Sequence, residues 1–174
     1  ILILLTLLLT FSITNNTSNL VLLLLILFAS CFGFLFFNWP KASIFMGDSG
    51  SIFLGYCFGG FIIYSLIMGE ISFLTWLVVF GYYLGDTTTT TLIRIMLVKK
   101  WYHPHRSHAY QNLARILDSH AIVSFGVMLY HILWLLPLAI WTVLKPNFGI
   151  IAVVLAFLPS IIWSIKFGPL FSRE

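Results

Sequence analysis

The sequence predicts an all-α, polytopic integral membrane helical bundle. Of its 174 residues, 60% are hydrophobic and only 8% are charged, and the mean hydropathy is +1.04. Soluble domains run nearer about 45–50% apolar and ~25% charged. The same figures exclude disordered, collagen-like and disulfide-scaffold classes. In lipid every backbone polar group must be satisfied internally, which leaves helices or closed barrels. Apolar runs this continuous lack the alternation of barrel strands, so helices remain.

A bilayer helix needs ~20 mainly apolar residues. Six spans can be laid out, the first of them truncated. The first covers residues 1–13 and ends at the polar turn Asn15-Asn16-Thr17-Ser18-Asn19. The second runs about 20–37 and the third about 51–68, closed by Gly69-Glu70. The fourth extends from Ile71 to Val98, interrupted by Asp86 and Arg94; at 28 residues its end is expected to project from the membrane. Spans five and six cover about 121–143 and 148–165. The chain opens on Ile-Leu-Ile-Leu, without Met and without a basic segment ahead of it, which is no signal peptide and looks like the middle of a helix. A C-terminal part of a longer chain is therefore expected, with 1–174 forming a single transmembrane domain.

Nine Lys and Arg face five Asp and Glu, a formal charge of +4. In so apolar a chain these cations read as topology markers and anion contacts, not as a nucleic-acid surface. If the hydrophilic loop at about 99–120 is cytoplasmic, so are the loop at about 38–50 and the C-terminal tail. That side then holds Lys41, Arg94, Lys99, Lys100, Arg106, Arg115, Lys166 and Arg173, and the other side only Lys145. Cys31 and Cys57 lie inside apolar runs and read as small buried hydrophobes.

Polar groups that a membrane protein keeps despite their cost are its functional candidates. They gather in two loops on one face. In Ile44-Phe45-Met46-Gly47-Asp48-Ser49-Gly50-Ser51, glycine permits positive φ and close approach, and Ser49 or Ser51 can cap the following helix. Asp48 suits Mg²⁺, which takes one or two carboxylates and completes its shell with water and substrate phosphates. It equally suits a plain helix cap, and spacing alone allows both. In the second loop, Lys99 to His108, three histidines and three fixed cations stand without an acid. Arg106 can grip a phosphate bidentately, and His103, His105 and His108 can donate to phosphate oxygens or carry a proton near neutral pH. A solvated loop explains the lysines but not three histidines, and a zinc site lacks Cys or a nearby carboxylate in sequence. Asp86, followed by Thr87 to Thr91, lies at the same boundary, where it can support the site or cap an interface. His131 is expected to be neutral with a partner in the bundle, and Glu70 lies on the far side.

The run NWPKASIFMGDSGSIFLGY resembles the signature of the polyprenyl-phosphate N-acetylhexosamine-1-phosphate transferases, or glycosyltransferase family 4. The run DTTTTTLIRIMLVKKWYHPHRSHAYQ is similar to their last large cytoplasmic loop, where a histidine motif meets the nucleotide-sugar diphosphate. HRSHAYQ looks most like the O-antigen-initiating branch and does not match the three-consecutive-histidine form of the peptidoglycan branch. The resemblance implies about six of the family's ten or eleven transmembrane helices. It implies catalytic roles for Asp48, His105 and His108, with Asp48 as the Mg²⁺ ligand (Mn²⁺ able to substitute). Arg106, His103, Gly47, Ser49 and Asp86 would fall to substrate binding. The implied reaction moves N-acetylhexosamine-1-phosphate from a UDP-N-acetylhexosamine to undecaprenyl phosphate, releasing UMP, at the cytoplasmic face of a bacterial inner membrane, and allows a homodimer. The family's paired aspartates and its Asn-x-x-Asp-Gly-type motif do not occur in these residues, so the chain alone is expected to be inactive. The rival class is a transporter or metal-binding subunit. It should place ionisable groups at mid-membrane, where only His131 lies. A non-catalytic partner is the third reading.

Overall fold

The structure, a computed structural model, describes residues 1–13, 19–39, 42–97, 102–103 and 106–171, and its regular elements are helices, with no strand among the described residues. In order they are α1 (Leu2–Ile13), α2 (Asn19–Asn38), α3 (Gly47–Ile67), α4 (Phe73–Val79), α5 (Gly81–Leu97), α6 (Ala109–Ile116), α7 (His120–Tyr130), a π turn (His131–Leu135), α8 (Leu136–Leu144), a 3-10 turn (Pro146–Phe148) and α9 (Gly149–Phe167). Among the described residues, four continuous stretches are long and apolar enough to cross a membrane: Asn19–Asn38, Gly47–Ile67, His120–Leu144 and Pro146–Phe167.

The first span, expected to be truncated, is a helix of 12 residues, short of a crossing. Of the six expected spans the fourth differs. The fourth is broken at Phe80 into a 7-residue and a 17-residue helix. Backbone bonds still run through the break, from Phe80 N–H to the Trp76 carbonyl and from Leu84 N–H to Phe80. The stretch expected as one hydrophilic loop, 99–120, contains α6, whose Ala109, Asn112 and Ala114 face inward. In the third span the helix begins at Gly47, before both serines, so neither caps it; Ser51 Oγ instead donates back to the Asp48 carbonyl at 3.1 Å.

The centre of the bundle is the pairing of α5 with α9. On α9 the buried residues Ala152, Ala156, Ser160 and Ser164 recur every fourth position, a stripe of small side chains along one face. On α5, Gly81 and Gly85 meet that stripe. A Cβ at Gly81 would lie 3.1 Å from the Ala156 Cβ, and one at Gly85 would lie 2.9 Å from the Ser160 Cβ. Small residues let backbones close in where water supplies no hydrophobic drive.

Both prolines in these helices leave a trace, and each is answered. Pro137 has no N–H, and the helix ahead of it loosens into the π turn, with Leu136 N–H reaching back to His131. Pro159 removes the donor that Leu155 would otherwise use, and the Trp134 indole N–H donates to that carbonyl at 2.9 Å. Tyr130 donates to the Ala156 carbonyl at 2.8 Å beside it. Further side-chain bonds join the helices: Thr75 to Thr142 at 2.8 Å, Trp76 to Ser65 at 2.8 Å, and Thr6 to His131 at 2.9 Å. His131 thus has the bundle partner its sequence position called for. Cys31 and Cys57 are both free thiols.

Two ends of the bundle can be told apart. At one, Gly149 packs on Leu74, bringing the turn before α9, with Lys145, to the start of α4. The other holds the end of α9, α6 and the second half of α5, with Arg94, Arg106, Arg115 and Lys166. Among the described residues the cations therefore divide four to one between the ends; Lys41, Lys99, Lys100 and Arg173 lie outside them.

Candidate functional site

The cationic end holds a buried carboxylate. Asp86 sits on α5, one residue past Gly85, and is only 4% exposed. Because Gly85 lets α5 lie against α9, Asp86 comes within reach of Ser164, whose hydroxyl donates to Oδ1 at 2.6 Å. The Ala109 backbone N–H donates to the same oxygen at 3.4 Å, and His108 Nδ1 to Oδ2 at 3.0 Å. An ionised carboxylate only accepts, and the ring nitrogen that faces it is Nδ1. Three donors offset the cost of burying the charge.

His108 is the residue before α6, in extended backbone at φ −67° and ψ 148°. The Gln111 side chain accepts from its N–H at 3.3 Å, which satisfies a donor at the start of the helix. The His108 side chain keeps 21% of its surface exposed. With Asp86, Thr87 and Tyr110 it forms the polar side of a cavity of about 420 Å³ that Tyr82 and Val127 also line.

Two arginines hold the backbone of the histidine segment. Arg94 of α5 donates to the His103 carbonyl at 3.3 Å, and Arg115 of α6 donates to the Arg106 carbonyl. Arg115 also donates to Asn112 Oδ1 at 3.1 Å. Asn112 in turn donates from Nδ2 to the carbonyls of Phe167 and Gly168, at 2.7 and 3.1 Å, using carbonyls that the end of α9 leaves free. The side chains of His103 and Arg106 are exposed, and the His103 ring stacks on Tyr102 with centroids 5.1 Å apart.

Asp48 lies apart from this cluster. It is exposed in the first turn of α3, where the helix dipole favours an anion, and its carboxylate takes no hydrogen bond from a described residue. Gly47 enters the helix at φ +64°, a left-handed backbone that only glycine adopts without strain. Ser49 is exposed beside it. Ser65 of α3 meets Trp76 at the far end of the bundle, and Phe58 packs edge-on against Phe80 with centroids 5.1 Å apart. From those contacts Asp48 rises about 15 Å along α3 and Asp86 about 9 Å along α5, at ~1.5 Å per residue. Asp48 and Asp86 therefore lie toward the same end.

The structure brings Asp86 and His108 together and puts His103, Arg106, Gly47, Asp48 and Ser49 at the same end. His105 lies outside the described residues. No three His, Cys, Asp or Glu side chains converge as a metal cluster among the described residues. Sequence reasoning missed Ser164 and Asn112 and treated Arg94 and Arg115 only as charge markers. The four-residue repeat of small residues in α9 was the available signal for Ser164.

Residues 1–66 match the family model of Glycosyl transferase family 4. Among curated proteins the chain is similar to a probable undecaprenyl-phosphate N-acetylglucosaminyl 1-phosphate transferase of Bacillus subtilis (strain 168), with 35% identity over 98 residues, 55% of this chain and 27% of that protein. It is also similar to the phospho-N-acetylmuramoyl-pentapeptide-transferase of Prochlorococcus marinus (strain NATL2A), 43% identical over 33% of this chain and 17% of the relative. The enzyme of that name from Leuconostoc citreum (strain KM20) is 40% identical over 40% of this chain and 20% of the relative. The chain therefore spans less than a third of the length of the curated relatives it matches. No solved structure matches it.

Proposed function

We propose that this protein transfers N-acetylhexosamine-1-phosphate from a UDP-sugar to undecaprenyl phosphate, in the O-antigen-initiating manner, at the cytoplasmic face of a bacterial inner membrane. The observation that carries this is the pairing of buried Asp86 with His108 at the cationic end of an apolar bundle. A lipid phosphate and a soluble nucleotide meet only at such a surface. The relatives' names supply the substrate class.

A phosphate oxygen of the lipid attacks the β-phosphorus of the UDP-sugar. The bond from that phosphorus to the oxygen bridging to the α-phosphorus breaks, UMP leaves, and the sugar diphosphate remains on the lipid. The nucleophile is already ionised, so the protein's task is positioning and charge neutralisation. Arg106 and His103, with exposed side chains on a backbone that Arg94 and Arg115 hold, offer donors to the diphosphate. His105 joins them by sequence position, and His108 presents its second ring nitrogen. Gly47 allows the chain to approach phosphate closely, and Ser49 adds a hydroxyl.

Asp48 fits one position of a Mg²⁺ or Mn²⁺ shell, being an exposed hard oxygen donor with room for water and phosphate around it. Such an ion, when bound, supplies charge neutralisation on the diphosphate. In the full-length protein, Asp48→Asn should abolish Mg²⁺-dependent transfer while nucleotide-sugar binding without metal persists. Near-wild-type transfer by the folded variant would remove Asp48 from the site.

A further inference from the structure

Asp86 is too enclosed and too well supplied with donors to serve the substrate directly. It is 4% exposed, its two oxygens take bonds from His108, Ala109 and Ser164, and as an anion it would repel a diphosphate. We propose instead that Asp86, locked in place by Ser164 of α9, is a positioning residue that sets the tautomer and plane of His108. This inference rests on the proposal that His108 contacts the nucleotide diphosphate.

The geometry supports it step by step. With Nδ1–H committed to Oδ2, Nε2 lies on the far side of the ring, where a phosphate oxygen can be met. A carboxylate behind an imidazole fixes which nitrogen carries the proton and stabilises the imidazolium form. Ser164 is fully buried, and its hydroxyl bonds the other carboxylate oxygen, so the carboxylate plane is defined by α9 and not by solvent. Asn112 ties α6 to the end of the same helix. The last helix thereby sets the orientation of a histidine 56 residues earlier in the chain (164 − 108), although Ser164 itself reaches no substrate.

The test is a double-mutant cycle in the full-length protein, with His108 observed by ¹⁵N NMR in nanodiscs. In the wild type the neutral His108 ring should carry its proton on Nδ1. Asp86→Asn should move the proton to Nε2 and lower kcat about 10- to 100-fold, the range for partners that orient a functional histidine. The KM for UDP-sugar should change less. In a His108→Ala background the same substitution should cost nothing more, because the two residues act as one unit. Wild-type turnover in Asp86→Asn, or losses that add in the double variant, overturns the proposal. Should Asp86→Asn fail to fold, Ser164→Ala carries the test. A shifted tautomer with about tenfold slower turnover supports the proposal, and wild-type values for both overturn it. A wild-type protein that transfers no sugar phosphate defeats the functional reading beneath, whatever the tautomer.

Discussion

Asn112 carries no charge, yet its amide joins three parts of the site. It is 2% exposed, donates to two carbonyls at the end of α9, and accepts from Arg115, which also holds the Arg106 carbonyl. Asn112→Ala leaves buried groups unpaired at about 1–3 kcal/mol each, so the detergent-solubilised protein should melt at a lower temperature. An unchanged melting curve would mean that the end of α9 is held by something else. Single residues were only partly legible in the sequence. Asp86 and His108 stood out because ionisable groups are costly in so apolar a chain. Their pairing did not, because they stand 22 positions apart, with the rest of α5 and its projecting end between them. The zinc reading was discounted for want of a carboxylate near the histidines in sequence, whereas the fold puts one 3.0 Å from His108. The capping role given to Ser49 or Ser51 failed because left-handed Gly47 starts the helix sooner.

At the scale of elements, the second, third, fifth and sixth expected spans and their order were readable because hydropathy reports length directly. The break at Phe80 and the π turn were not, since both depend on what packs alongside. Trp134 and Pro159 make the point testable. Trp134→Phe removes the indole donor from the Leu155 carbonyl and should cost about 0.6–2 kcal/mol, measured by unfolding in mixed micelles. Adding Pro159→Ala restores a backbone N–H four residues after Leu155, and the double variant should recover most of that loss. If Trp134→Phe is neutral, or if Pro159→Ala gives no rescue, the pairing of indole and proline is not what satisfies this carbonyl. The helix α6 escaped the sequence reading because a short amphipathic helix in a polar stretch has the composition of a loop; its buried face shows only against α9.

At the scale of the whole molecule, charge asymmetry was legible because the cations are few and one-sided. The structure adds that Lys145 and the described basic residues of the other group lie at opposite ends. With Cys31 and Cys57 replaced by Ala, a cysteine at Tyr110 should react with a membrane-impermeant maleimide only from the cytoplasmic side. A cysteine at Lys145 should react only from outside. The reverse pattern would put the histidine segment where no cytoplasmic nucleotide sugar reaches it. What composition could not supply was the depth of enclosure at Asp86, which exists only because glycine on α5 meets a small-residue stripe on α9.

Sugar-phosphate transfer makes a demand on atoms that sugar transfer alone does not. The most direct measurement follows the two phosphorus atoms of UDP-N-acetylglucosamine, labelled separately, in vesicles of the full-length protein with undecaprenyl phosphate and Mg²⁺. The β-phosphorus should appear in the lipid product, with one UMP carrying the α-phosphorus released per lipid formed. Release of UDP, with the β label left on the nucleotide, or no label in lipid at all, would contradict the account.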